Sequence, residues 1–172
     1  MQAILMNQER AKAMKFPSTE TVERLKKEYP AGCRIVLDDM DDPFVKIPVG
    51  TQGTVKWVDD AGSITPVWDS GGSLSIVYGV DQCHKIRTDS EASVTLGWYG
   101  KKQSSENARC PRCGELMDGP TTRHALSRRA DVMICDSCGL QEALEDAGIM
   151  DKLPMMQWEY IKHIQTGGGE WK

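Results

Sequence analysis

The sequence predicts an α+β protein built as two modules, a small β-barrel preceded by a helix and a cysteine-rich module with helices behind it. Three observations carry this. Apolar residues recur at helical spacing over residues 19–29. The period then changes to two, and five short runs separated by turn clusters fill residues 33–86. Beyond them stand four cysteines as Cys110-x2-Cys113-x21-Cys135-x2-Cys138.

The helix over 19–29 follows Phe16-Pro17-Ser18, with Ser18 placed to cap it. Glu20 and Glu23 suit its positive end, and Lys26 and Lys27 its negative end. Val22, Leu25 and Tyr29 share one face, and Pro30 with Gly32 stops the helix. The candidate strands are 33–37, 53–58, 63–68, 73–77 and 83–86, with turns at 59–62 and 69–72. Five short strands joined by tight hairpins predict an SH3-like barrel, in which Pro66 must sit on an edge or at a bulge.

Residues 88–108 read as a linker whose middle, 94–99, is apolar enough to add a strand or dock on the barrel. A turn or short helix is expected at 121–129 and a strand at 131–134. A helix over 140–147 places Leu140, Ala143, Leu144 and Ala147 at helical spacing and ends at Gly148. A last helix over 155–165 follows Pro154 and carries Met155, Trp158, Ile161 and Ile164. The resulting organisation is an N-terminal extension at 1–15, helix plus barrel at 16–87, a linker at 88–108, the cysteine module with C-terminal helices at 109–166 and a flexible tail at 167–172.

The four cysteines predict one structural Zn2+. Zinc takes four soft ligands in a tetrahedron at about 2.3 Å for thiolate, and two intervening residues let both sulfurs of a pair face one ion. Gly114 and Gly139 follow the two pairs and supply the permissive backbone of a tight knuckle. With Cys110, Cys113, Cys135 and Cys138 all engaged, no position stays open for water or substrate, so the ion is not catalytic. Two disulfides or four idle thiols are the other uses of such residues, and the paired spacing disfavours both. A helix starting at the second pair matches a treble-clef or ribbon module.

The chain has 172 residues, 40% of them hydrophobic but only two of them Phe, so its cores are modest and a metal staple is useful. The net charge of −4 disfavours both a strongly basic nucleic-acid binder and a dense mimic of DNA. No signal peptide is visible in residues 1–14, no apolar run approaches a membrane span, and reduced zinc-binding thiols fit the cytoplasm.

Several constellations invite a functional reading. Arg109, Arg112, Arg123, Arg128 and Arg129, with His124, form the one local basic group. It suits phosphate or a protein partner, against a solvated surface paired with Glu115, Asp118 and Asp131. Asp38, Asp39, Asp41 and Asp42 form an acidic loop, more readily a solvated turn than a cation site, and able to compete for Lys- or Arg-lined grooves. Trp57, Trp68, Tyr78, Trp98 and Tyr99 are expected mostly in the core, and Met155, Met156, Trp158 and Ile161 on a packing face. Cys83 and His84 are neighbours on a strand and point to opposite faces, which disfavours a nucleophile pair. His124 and His163 stand isolated, and no phosphate loop, nucleophile elbow or paired catalytic carboxylates occur in the sequence. No enzyme is expected.

Two resemblances extend this reading. The runs Phe16-Pro17-Ser18, Glu23-Arg24-Leu25-Lys26, Tyr29-Pro30-Ala31-Gly32, Met40-Asp41-Asp42-Pro43, Pro48 to Val55 and Val67-Trp68-Asp69 resemble an uncharacterised family of SH3-like barrels common in phages and mobile elements of Firmicutes. The segment Cys110 to Gly114, His124 to Asp131, Cys135 to Gly139 and Glu142 to Leu144 is similar to a small zinc module appended to proteins of the same elements. The combined layout resembles the streptococcal phage anti-CRISPR inhibitors of type II RNA-guided nucleases. That resemblance implies a non-enzymatic protein that binds the type II CRISPR effector nuclease of the host and blocks target-DNA loading and cleavage. It transfers only the four cysteines as metal ligands. The alternative is a zinc-containing nucleic-acid-binding accessory of a mobile element.

Overall fold

The computed structural model describes residues 16–45 and 47–171. The N-terminal extension expected at 1–15 lies outside the described residues. The chain divides into two compact units, one up to Lys85 and one from Ile86.

In the first unit, helix α1 (Thr19–Glu28) starts where Ser18 accepts the amide of Thr21 at 3.3 Å, and it buries Val22 and Leu25. Strands β1 (Arg34–Asp39), β2 (Gln52–Val58), β3 (Ile64–Trp68) and β4 (Gln82–Lys85) form one antiparallel sheet in the order β3-β2-β1-β4. Alternation sends Cys33, Ile35, Leu37, Val55, Val58, Ile64 and Trp68 to a core shared with Leu25 and Tyr29. Pro66 lies on the outer strand β3 opposite Val55, where the register shifts before Trp57. The ring of Trp68 is buried, whereas Trp57 is 54% exposed.

No barrel closes among the described residues, and the sheet stays open. The strand expected at 73–77 shrinks to a single bridge, Ile64 to Ile76. Backbone groups that a ladder would use go elsewhere: the Asp81 carboxylate accepts the Val77 amide at 2.7 Å, and the Trp68 indole donates to the Leu74 carbonyl at 2.9 Å. On the sheet's other face Arg34 is buried, donating to both carboxylate oxygens of Asp69, to Gln52 at 3.0 Å and to Thr54 at 3.1 Å.

The second unit corrects the expected linker. Residues Asp89–Gly100 form helix α2, opened by a capping box. Glu91 donates its amide to Thr88 Oγ1 at 3.3 Å and its carboxylate accepts the Thr88 amide at 3.1 Å. Ala92 and Leu96 are fully buried in a core with Val132, Ile134, Trp158 and Ile161. After a 3₁₀ turn at Thr121–Arg123 comes a two-stranded hairpin, β5 (Ala125–Leu126) with β6 (Met133–Ile134), then helix α3 (Asp136–Asp146). The single helix expected at 155–165 is broken into a 3₁₀ turn (Met155–Gln157) and helix α4 (Glu159–Gln165). The flexible tail is also corrected. Trp171 packs edge-on against Tyr160 and His163, with ring centroids 5.6 and 4.9 Å apart, and its indole donates to the Arg109 carbonyl.

Two glycines of α2 make a matched pair for testing. At Gly100 a methyl group would sit 2.1 Å from the Asp131 carbonyl oxygen, whereas at Gly97 it would meet only Asp131 Cβ at 3.9 Å. Gly97→Ala should stabilise the second unit by about 0.5–1 kcal/mol through helix propensity. Gly100→Ala should instead destabilise it by about 1–3 kcal/mol through overpacking. Urea unfolding monitored by circular dichroism distinguishes the two, and equal shifts would rule out the close approach at Gly100.

Candidate metal centre

The first cysteine pair lies in a tight hairpin. Met117 donates to the Ala108 carbonyl at 2.9 Å and Cys110 to that of Glu115 at 2.7 Å. The Gly114 amide turns back to the Cys110 carbonyl at 2.9 Å, with φ at +81°, a conformation that favours glycine. The second pair opens a helix: Cys135 is the N-cap of α3 and Cys138 lies in its first turn, so both sulfurs stand at the positive helix end. Gly139 is needed for a different reason from Gly114. It is helical, and a methyl there would sit 2.4 Å from Ala125 Cβ, so its bare Cα admits the β5 strand.

The four sulfurs lie within 4.8 Å of one another. Cys113 Sγ and Cys135 Sγ are 3.8 Å apart, matching the edge of about 3.8 Å that a tetrahedron with bonds of about 2.3 Å has. All four are free thiols. Such a group can hold a metal ion, and its all-sulfur donors suit a soft or borderline cation. The Cys110 thiol is pulled down to about 5, first by the hydrogen bond with Cys138 and further by backbone amides, including that of Cys135 at 3.4 Å. Cys138 is pushed up, first by the same bond to Cys110 and then by burial, and burial pushes Cys113 up to about 11. One thiolate, that of Cys110, therefore forms readily, while Cys113 and Cys138 hold their protons until a cation offsets the repulsion between thiolates. Cys110 and Cys138 are buried, whereas Cys113 is exposed.

The other singled-out residues do not converge. Asp38 pairs with His84 at 2.6 Å, and Asp42 accepts the amides of Phe44 and Val45. Among the described residues the acidic loop forms no group able to hold an ion comparable to the thiols. Burial pushes Cys83 up to about 12 and raises Cys33, so both are poor nucleophiles. His124 Nε2 faces the Asp118 carbonyl at 3.1 Å and His163 Nε2 that of Gly169 at 2.7 Å.

The arginine group is redistributed by folding. Arg112, between the first two cysteines, is buried and reaches Glu145 at 2.6 Å and Glu142 at 3.4 Å while lying over the Trp158 ring. Arg129 pairs with the same Glu145 and donates to the Leu153 carbonyl. Glu142 accepts the Ser127 hydroxyl at 3.0 Å and the Arg128 amide at 2.7 Å. The partners expected from sequence, Glu115, Asp118 and Asp131, are thus not those of Arg112 and Arg129. The buried face of α3 is also corrected: Cys138, Glu142 and Glu145 line it, and Leu140 is 63% exposed. Burial pushes the Glu145 carboxyl up, and the hydrogen bond and charge of Arg112, the Leu153 amide and the Arg129 charge outweigh that, leaving it below its usual range. Arg109 donates to the Gly114 carbonyl at 2.8 Å, and Arg123 and Arg128 remain exposed.

The C-terminal segment joins the same assembly. The first amides of α4, those of Glu159 and Tyr160, donate to the Arg112 and Pro111 carbonyls at 3.2 and 3.0 Å. The knuckle thereby takes up orphan donors of that helix. This explains the break at Trp158, whose extended backbone turns the chain onto the knuckle.

Glu145→Gln should lower the stability of the second unit by about 3–5 kcal/mol, since it leaves the buried Arg112 and the half-buried Arg129 short of a counter-charge. Arg128→Ala removes only an exposed pairing with Asp146 at 4.0 Å and should stay within about 0.5 kcal/mol of the parent. Hydrogen exchange of α3 amides reads both, and a mild effect at Glu145 would show that the network relaxes around its loss.

Residues 18–86 match a family described as Domain of unknown function (DUF4314). No curated protein and no solved structure matches the chain. The matched stretch contains α1 and the whole four-stranded sheet and ends before the thiol cluster.

Proposed function

We propose that this chain is a zinc-stabilised, non-catalytic binding protein that acts by docking on another protein. The partner proposed is the type II CRISPR effector nuclease of a bacterial host, with target-DNA loading and cleavage blocked in consequence. The resemblance of the layout to phage anti-CRISPR inhibitors suggests that partner and a role in evading host defence.

The fate of the arginines carries the choice of a protein partner over nucleic acid. A phosphate-binding face needs several exposed cations in one place. Here Arg112 and Arg129 are spent on Glu145, leaving Arg123 and Arg128 as the exposed pair of the original group. A nucleic-acid accessory would lose the surface on which that reading depended. No described helix is long and apolar enough to cross a membrane.

For the ion, zinc is the reading the donor set supports best. Four cysteine sulfurs within 4.8 Å of one another would fill a tetrahedral zinc and leave no open coordination position, so the metal would hold structure and perform no chemistry. The order knuckle, hairpin, helix, with one cysteine pair at each end, is that of a treble clef. A reducing compartment such as the bacterial cytoplasm keeps such thiols available.

Elemental analysis of protein purified under reducing conditions should give one zinc per chain. Structural zinc contributes on the order of 10 kcal/mol or more of apparent folding free energy. Cys110→Ser or Cys138→Ser should therefore lose the metal and the exchange protection of α3 and α4, while the sheet of the first unit keeps its protection. Unchanged metal content in both variants would refute the assignment. For function, a purified streptococcal type II nuclease with its guide should be inhibited near equimolar ratio when the protein precedes DNA, and not when DNA is bound first. Uninhibited cleavage in large excess would remove that partner.

A further inference from the structure

The geometry points to residues 40–45 and 47–49 as the docking face, and to its counterpart as an apolar pocket on the partner protein flanked by a Lys or Arg side chain. The inference rests on the protein-binding reading above. The chain has two phenylalanines, and folding buries neither: Phe16 is 80% exposed and Phe44 92%. Val45 and Val49, on the same loop as Phe44, are also exposed. A chain short of large apolar side chains has thus left one at a loop tip, where it adds nothing to either core.

Hydrogen bonds hold residues 41–45 and 48–51 in shape before any partner arrives. Asp42 Oδ1 accepts the amides of Phe44 at 2.7 Å and Val45 at 2.8 Å, fixing the backbone that displays the ring. The Asp41 amide donates to Asp81 Oδ1 at 3.0 Å. On the far side, the Thr51 hydroxyl donates to the Pro48 carbonyl at 2.6 Å, and the Gly50 amide to that of Leu37 at 2.8 Å. Backbone fixed in this way has already met part of the ordering cost that binding would otherwise impose. A rigid aromatic anchor is also the residue type that dominates interface energetics.

Charge identifies the occupant. Beside the loop opens a cleft of about 440 Å³ lined by Met40, Leu74, Val77 and Val80 together with Asp41 and Asp81. That lining suits a side chain with an aliphatic stem and a cationic head, which is a Lys or an Arg. Exposed Asp39 and Asp41 extend the negative frame around Phe44. A second copy of the same loop would bring like charges together across a two-fold contact, so self-association through this face is disfavoured. The face therefore presents a knob, Phe44, next to a hole for a cation. A groove built to hold a nucleic-acid backbone offers the complementary cations.

The test compares Phe44→Ser and Asp41→Lys with the parent chain, by biolayer interferometry against the guide-loaded streptococcal nuclease over a range of salt. Both positions are exposed, and unchanged thermal melts confirm that the variants fold. Phe44→Ser should weaken binding by about tenfold or more at every salt concentration. Asp41→Lys should weaken it by a similar factor at low salt, with the deficit shrinking as salt rises. If the parent binds and both variants match it, the docking face lies elsewhere and the inference falls, while the protein-binding reading stands. If the parent itself does not bind, that reading falls and takes this partner assignment with it. If sedimentation shows a parent dimer that Phe44→Ser dissociates, the occupant is a second copy and the inference is overturned.

Discussion

The second unit is organised around the buried ion pair of Arg112 and Glu145. Arg112 belongs to the first cysteine knuckle, Glu145 to the helix begun by the second, and Arg129, from the hairpin between them, closes on the same carboxylate. Desolvating such groups costs several kcal/mol each, and only a geometry in which every charge is met repays it. The pair is therefore weak as a source of net stability and strong as a constraint on arrangement. It lets the two halves of the thiol cluster approach in one relative orientation, and Leu153 and Trp158 are drawn against the same charges.

The same constraint has a functional side. Guanidinium groups used to align a scaffold are not available to a ligand, so Arg112 and Arg129 add little to the basic surface that their sequence neighbourhood suggests. The first unit repeats the device on a smaller scale with Arg34 and Asp69 on the sheet. In both units a buried guanidinium orients the backbone around it.

Legibility in the sequence followed the range of the interactions. The cysteine pairs, the α1 cap and the period of β1, β2 and β3 are local patterns, and they are where expected. Helix α2 was hidden because its buried stripe is made of small residues, Ala92 and Thr95 beside Leu96, with glycines where other segments come close. Its one clear signal was the Thr88-x-x-Glu91 capping box. The inward face of α3 was misread because Glu142 and Glu145 share the helical spacing of Cys138, and a pattern that sends carboxylates to solvent cannot see arginines distant in the chain. The missing fourth strand has a similar origin: Asp81, beyond the run, satisfies a backbone amide that the ladder would have used.

The four cysteines differ in access. Cys110 and Cys138 are sealed beneath the knuckle and the helix, and Cys113 faces water. Affinity for an ion held there is a property of all four sulfurs together, but exchange begins at the bond that a competing ligand reaches first. The lifetime of a loaded centre would accordingly depend on Cys113, with half-buried Cys135 next in reach. A chelator, a donor protein or a thiol-directed reagent would reach the exposed cysteine before the buried pair.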